Sequence, residues 1–227
     1  MGEHMFWQRK ERRKRCAATK GDCGTPFNLL CFVKKSSSNR NLADSFELRI
    51  ACIKRGIVMI QSERLIFRKI VDRDFDAIAK IMRDEGVQRV WEHYFSDDDV
   101  REWIHRRKKG YENNGIDYLL AINKLSLEVV GQIGLLKENI EGEEIWGIGY
   151  ILMSRYYGNG YATEGTKAMV DYAFNTLKIP KIICDIRPMN KSSIAVAKRI
   201  GMVETGMFVK NYRGVEMPHL IFALNRN

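Results

Sequence analysis

Period-two alternation begins at Glu63 and runs to Ile70. Leu65 and Phe67 lie on one side, and Arg64, Ile66 and Arg68 on the other, which predicts a strand. Asp72 then precedes Phe75, Ile78, Ile81 and Met82, a helical spacing with an acidic N-cap candidate. A second helix carries fuller signals. Ser96 stands as its cap and Asp97, Asp98 and Asp99 fill the first turn. Val100, Trp103 and Ile104 form its buried stripe, and Arg106 to Lys109 close it before Gly110. Acidic residues at the start and basic ones at the end complement the helix dipole.

Strands are predicted next at Ile116 to Ile122, Val129 to Leu136 and Ile145 to Met153. Asn123 to Glu128 and the acidic, Gly142-bearing stretch Glu138 to Glu144 read as hairpin links. The loop Ser154 to Tyr161 leads to a helix from Ala162 to Leu177, with Met169, Val170, Ala173 and Leu177 on its apolar face, and Pro180 ends the region. A strand at Lys181 to Arg187 and a short helix at Ser192 to Ile200 follow, the helix packing Ile194, Val196, Ala197 and Ile200. The chain closes with strands at Val203 to Lys210 and Met217 to Leu224. This succession implies an α/β or α+β class with a mixed sheet, and no internal repeat interrupts it.

The pattern does not extend over the first 58 residues. They hold 13 Lys or Arg against 5 Asp or Glu, a net of +8 out of the whole-chain +10. The chain is therefore divided into a basic extension, 1–58, and a nearly neutral body, 59–227. The overall basicity gives the body no case for nucleic-acid binding. A charge cluster from Arg9 to Arg15 is followed by a Gly/Cys/Pro region and a polar run, Lys34 to Asn41, without sustained periodicity. No apolar segment follows that suits a secretory signal, and Phe6 breaks the myristoylation pattern after Gly2. Three readings fit this arm: a disordered basic tail for acidic polymers, a targeting peptide, or translated upstream sequence before a start at Met59.

No apolar run approaches the roughly 20 residues of a membrane span. Cys16, Cys23, Cys31 and Cys52 fall in the arm and Cys184 alone in the body, with no CxxC pair. Neither a metal site nor a disulfide framework is expected, and a reducing compartment such as the cytoplasm fits.

Chemistry concentrates in Trp146 to Asn190. From Gly147 to Glu164 a strand ends, a loop bearing Gly158 and Gly160 follows, and a helix begins. Such a junction aims successive N–H groups and a positive helix end at one point, a sound cradle for pyrophosphate. Two glycines alone equally suit a plain connecting loop. However, Tyr156-Tyr157-Gly158-Asn159-Gly160-Tyr161-Ala162-Thr163-Glu164 resembles the acetyl-CoA loop of the GNAT N-acetyltransferases, in the branch of the ribosomal-protein alanine N-acetyltransferases. The resemblance spans Glu63 to Leu224. It includes Ser62 to Arg68, Arg187-Pro188-Met189-Asn190-Lys191-Ser192-Ser193, and Val196 to Met202. Two registers fit the loop: Arg155, Gly158 and Gly160, or Tyr157, Gly160 and Ala162. The flanking residues favour the second.

The resemblance implies a mixed, mostly antiparallel sheet flanked by helices. It also implies acetyl-CoA as co-substrate, an acetyl transfer to a primary amine by direct attack, and no metal. Its pantetheine arm would lie along Ile151, Leu152 and Met153, and its pyrophosphate against Tyr157, Gly158, Asn159, Gly160, Tyr161 and Ala162. Asn190 matches the family asparagine beside the pantetheine and is also a fit N-cap for the next helix. The amine must lose a proton before attack, and the departing thiolate must gain one. The family's frequent acid, a tyrosine seven residues after that asparagine, is replaced by Ala197. Ser193 matches the serine used near the thiol in the ribosomal-protein branch, and Tyr212 is the second acid candidate. Asn211 stands where that branch can carry a glutamate. Glu92 and His93 are the base candidates, with Asp185 a further one, while Trp91, Tyr94 and Trp146 could shape an acceptor pocket. Cys184 reads as a buried strand residue, since direct attack needs no covalent enzyme intermediate. The acceptor could be a protein N-terminus or a small amine. A non-catalytic acyl-CoA-binding domain and nucleic-acid binding through the basic arm are the alternatives, and monomer and homodimer both remain open.

Overall fold

The computed structural model describes residues 58–226, so the readings made for the basic arm lie outside the described residues. Eight strands form one sheet in the order β1-β2-β3-β4-β5-β6-β8-β7. The strands are β1 Val58–Gln61, β2 Leu65–Lys69, β3 Tyr118–Asn123, β4 Val129–Ile140, β5 Glu143–Leu152, β6 Lys181–Ile186, β7 Val203–Tyr212 and β8 Val215–Asn225. Every neighbouring pair is antiparallel except β5 and β6. The helices are α1 Phe75–Met82, α2 Glu85–Trp91, α3 Asp97–Asn114, α4 Tyr161–Asp171 and α5 Lys191–Arg199. A π-helical turn, Tyr172–Thr176, extends α4.

Alternation in β2 sorts the two layers. Leu65 and Phe67 enter the core shared with Met169 of α4, Ala173 of the π-helical turn and Ala197 of α5. Ile66 faces the other way, into the core built with Ile78 and Met82 of α1 and Val100, Trp103 and Ile104 of α3. The second core contains a fully buried polar side chain, Gln132, whose Oε1 accepts from Trp103 Nε1 at 2.9 Å. That bond spares the core an unsatisfied amide, which would cost about 1–3 kcal/mol.

Several sequence expectations shift. Asp72 is not the cap of α1; it is exposed and pairs with Lys108 at 2.7 Å. Asp74 does the fastening, accepting from Val71 N–H at 2.9 Å and from both Arg68 nitrogens at 2.7 Å. The Ser96–Asp99 capping box forms as expected, with Ser96 N–H donating to Asp99 at 2.9 Å and Asp99 N–H to Ser96 Oγ at 3.2 Å. Gly110 does not end α3, which runs on to Asn114 and stops at Gly115, where φ is 76°. The glycine is needed instead for close approach: a Cβ at position 110 would lie 2.7 Å from Asp117 Cγ. The strands flanking Glu138 to Glu144 also run further, closing through the two-residue turn Glu141–Gly142 with both φ positive. Such a turn matches strand twist. β7 and β8 close the same way through Arg213–Gly214. β1 and α2 were not anticipated, the first lying across the expected boundary at 58 and the second being short and broken by Gly86.

Candidate active site

The one parallel contact in the sheet creates the opening. β5 and β6 share a single registered pair, Gly147 with Ile183, and part beyond it. On its other edge β5 stays paired with β4 to Leu152, and Met153 N–H donates to Val130 O at 3.1 Å. Ladder bonds alternate in an antiparallel pair. Ile151 and Met153 therefore turn their main-chain groups to β4, while Tyr150 and Leu152 turn theirs to the open edge. A partly unzipped strand of this kind presents donors and acceptors to an extended ligand.

The strand leads into a turn, Ser154–Tyr156, and then the glycine loop. Gly158 and Gly160 adopt φ of 78° and 79°, a left-handed conformation that L side chains resist. A Cβ at Gly158 would meet nothing within 4 Å, so this stretch of backbone lies open. Gly160 caps α4 without a side chain, and the first helical bond runs from Glu164 N–H to Gly160 O at 3.0 Å. No acceptor among the described residues meets the N–H groups of Tyr161, Ala162 or Thr163. Free amides at a helix start favour an anion. Glu164 pins this end to the β1–β2 turn, accepting from Ser62 Oγ at 2.6 Å, Arg64 N–H at 2.7 Å and Arg64 Nε at 2.6 Å. Burial opposes its charge, but these donors hold its carboxyl below the usual range.

A groove runs along this edge. Tyr150, Ile151, Leu152, Tyr157, Gly158, Gly160, Tyr161, Ala162, Asn190 and Ser193 line it, together with Arg64, Arg89, Lys167, Lys191 and Arg199. Five cations and a row of free amides suit a phosphorylated ligand such as CoA. Met153 and Asn159 are not in the lining, and Arg155 lies over the Tyr156 ring at 4.7 Å, outside it. Of the two loop registers, the groove takes up all of Tyr157, Gly160 and Ala162.

A second cavity meets the groove where β5 and β6 part. Val90, Trp91, Tyr150, Ile151, Asn190 and Ser193 line both. Asn190 caps α5, its Oδ1 accepting from Ser193 N–H at 3.1 Å and Ser192 Oγ at 2.8 Å. Its amide nitrogen has no partner among the described residues. Tyr150 O–H donates to Ser193 O at 2.8 Å and crosses the junction. Burial holds both the Tyr150 hydroxyl and the Cys184 thiol in their neutral forms. Cys184 is 5% exposed and lines the second cavity as a protonated thiol, not a nucleophile.

The second cavity also takes in Tyr118, Glu138, Asp185, Arg187, Lys210, Tyr212, Met217 and His219. Lys210 bridges Glu138 at 3.2 Å and Asp185 at 3.0 Å. Burial would lower the Lys210 ammonium, but the two carboxylates raise it above the ordinary lysine value. Burial also raises Glu138. Tyr212 stands edge-on to Trp91 with centroids 5.4 Å apart.

The other candidates lie elsewhere. Glu92 ends α2 in a left-handed conformation, φ 50°, and forms an ion pair with Arg187 at 2.9 Å. His93 Nε2 lies 3.2 Å from Asp99 Oδ2, and its ring is stacked edge-on against Phe95. Neither residue lines the groove or the second cavity. Tyr94 is 67% exposed, and Trp146 lies under Lys137 at 4.8 Å rather than in the cavity. The sequence reading missed Tyr150, the Glu138–Lys210–Asp185 cluster and the groove cations Arg89, Lys167 and Arg199. The sequence predicts a strand only to Lys210; β7 runs on to Tyr212 and sets both residues on one face, and nothing local pairs that face with β6 and β4.

Comparison with known proteins agrees with this geometry. Residues 64–203 match the model of the acetyltransferase (GNAT) domain. The uncharacterized protein YkkB of Bacillus subtilis is 32% identical over 142 residues, which cover 62% of this chain and 83% of that protein. The ribosomal-protein-S5-alanine acetyltransferase of Vibrio fischeri superposes with a TM-score of 0.61 at 19% identity, over 74% of this chain and 96% of its own. The spermidine N-acetyltransferase of Vibrio cholerae, solved with CoA and spermine, superposes with a TM-score of 0.58 at 18% identity, over 72% and 96%. At such identities these two structures share the fold. With more than half of its length matched by the domain model, the chain belongs to the GNAT acetyltransferase family.

Proposed function

We propose that this protein transfers the acetyl group of acetyl-CoA to a primary amine, either a protein N-terminus or a small amine. The observation that carries the reading is the parting of β5 from β6 beyond Gly147. It leaves one strand edge, one glycine loop and one helix end without a side-chain cap on a single groove, and that groove meets a second cavity. In this reading Tyr150 and Leu152 hold the pantetheine through their main chains and Asn190 adds its side-chain amide. The amides of 158–163 and the groove cations take the phosphates. The thioester then falls at Tyr150, Asn190 and Ser193, where both spaces meet.

The acceptor enters the second cavity beneath Trp91 and Tyr212. An α-amino group has an ordinary pKa of about 7.7–8.0 and needs less help to become neutral than a lysine side chain at about 10.4. In this reading Ser193 O–H, in the first turn of α5, donates toward the departing sulfur. The acceptor's breadth follows the cavity, since fold does not fix substrate. The related structures named for a ribosomal protein and for spermidine mark two acceptor classes to try. The test is thiol release from acetyl-CoA with a panel of N-terminal peptides, polyamines, amino acids and aminoglycosides, with products read by mass. Acetylated amine in stoichiometric balance with CoA supports the reading. Binding of acetyl-CoA without turnover across the panel overturns it in favour of a non-catalytic acyl-CoA-binding domain.

A further inference from the structure

The second cavity contains a base that the sequence reading did not consider. His219 is on β8, half-buried, with its ring 5.8 Å from that of Phe208. It lines the cavity with Met217 and Lys210. Its Nδ1 lies 2.9 Å from Met217 O. A carbonyl oxygen can only accept, so Nδ1 carries the proton, and in the neutral ring the lone pair falls on Nε2. Nε2 has no partner among the described residues.

Register explains the placement. Phe208 lies opposite His219 and Lys210 opposite Met217, while Asp185 lies opposite Ile221. Alternate residues share a face, so Asp185, His219 and Lys210 share one face of the sheet. The charged groups facing the ring are Asp185 and Arg187 from β6 and the turn after it, and Lys210 from β7. Burial lowers the ring's proton affinity below the ordinary histidine value; the Met217 carbonyl and Asp185 work against it, and Lys210 and Arg187 add to it. The other bases nearby are already committed. Glu138 and Asp185 hold Lys210, His93 holds Asp99, and Glu92 holds Arg187.

We propose that His219 is a further catalytic residue, whose Nε2 takes the proton that the acceptor's ammonium must lose before attack. The inference rests on the amine-acetylation reading. The protons balance as follows. R–NH3⁺ gives one proton to His219 Nε2 and becomes R–NH2. The amine nitrogen bonds to the acetyl carbon and the C–S bond breaks. A second N–H proton passes to the thiolate, leaving R–NH–COCH3 and CoA–SH. His219 then releases its proton to solvent.

The first measurement is the pH profile of kcat/KM for wild type and His219→Gln, using whichever amine the wild type acetylates. A base that deprotonates a bound ammonium gives the wild type an acid limb below the ordinary histidine value of about 6.5. In the variant that limb moves up to the amine's own pKa, and kcat near pH 6.5 falls about 100-fold, the lower range for lost acid–base catalysis. KM for acetyl-CoA stays unchanged, and added imidazole restores part of the rate. The second measurement needs no variant: ¹⁵N NMR of wild-type His219 should report an Nδ1–H tautomer with an unprotonated Nε2 at pH 7. An unchanged pH profile in an active variant, or an Nε2–H tautomer in the wild type, overturns the assignment while leaving amine acetylation standing. Acetyl-CoA binding without turnover by the wild type, with any amine, removes both.

Discussion

Asn190 has two capacities, and a single substitution separates them. Its Oδ1 caps α5, accepting from Ser193 N–H at 3.1 Å and Ser192 Oγ at 2.8 Å. Its amide nitrogen is unpartnered among the described residues, and the residue lines both the groove and the second cavity. Aspartate caps helices as well as asparagine, so Asn190→Asp keeps the cap and removes the donor. One net hydrogen bond is worth about 0.5–1.5 kcal/mol, or about 2- to 13-fold in affinity. The new carboxylate beside an anionic ligand adds to that, so KM for acetyl-CoA should rise roughly tenfold, with Tm unchanged. Asn190→Ala loses both functions. The missing cap costs about 1 kcal/mol, which is about 2–4 °C in Tm for a domain of this size. Steady-state kinetics and thermal melts on the three proteins decide the matter. Wild-type KM in Asn190→Asp would refute the donor role, and a melt as low as that of Asn190→Ala would refute the cap.

Other outcomes follow from different parts of the fold. Gly110→Ala should gain about 1 kcal/mol by helix propensity. The added methyl would instead crowd Asp117, which pairs with Arg107 at 3.0 Å, so a chemical melt should register a net loss of about 1–3 kcal/mol. A net gain would contradict the packing. Burial raises the Asp117 carboxyl to about 6, whereas an unfolded aspartate titrates near 3.9. The folded chain then binds more protons between those values, and this residue makes stability fall as pH rises from about 4 to about 6. Asp117→Asn should flatten that segment of the melting profile, and an unchanged slope would dismiss the shift. Lys167→Glu and Arg199→Glu should each raise KM for acetyl-CoA about fivefold, an effect of about 1 kcal/mol that shrinks with added salt. Salt-independent KM values would argue that these cations do not meet phosphates.

What could be read in the sequence divides along physical lines. The α3 capping box, the alternation of Leu65, Ile66 and Phe67, and the strand–loop–helix junction at Gly158 and Gly160 are local, and each stands in the structure as expected. Gly110 misled because a glycine near a run of basic residues resembles a helix stop, whereas its reason lies seven residues on, in the side chain of Asp117. The roles of His219 and Tyr150 depend on pairings between distant strands: β8 with β6 and β7, and β5 with β4 along its length but with β6 only at Gly147. His93 drew attention as a histidine in a loop, but the cap of α3 claims it, since Asp99 accepts from Ser96 and His93 together. Trp91 lines both the groove and the second cavity, while α2, which carries it there, is too short and glycine-broken for periodicity to reveal.

The central claim is that the parted edge of β5 and the loop after it grip acetyl-CoA through main-chain groups. Residue-resolved amide hydrogen exchange, with and without acetyl-CoA, tests it most directly. The account expects new protection at Tyr150 and Leu152 and across Gly158 to Thr163, while Ile151 and Met153, already bonded to β4, change little. Saturating acetyl-CoA that leaves the exchange of Tyr150, Leu152 and the loop amides unaltered would contradict it.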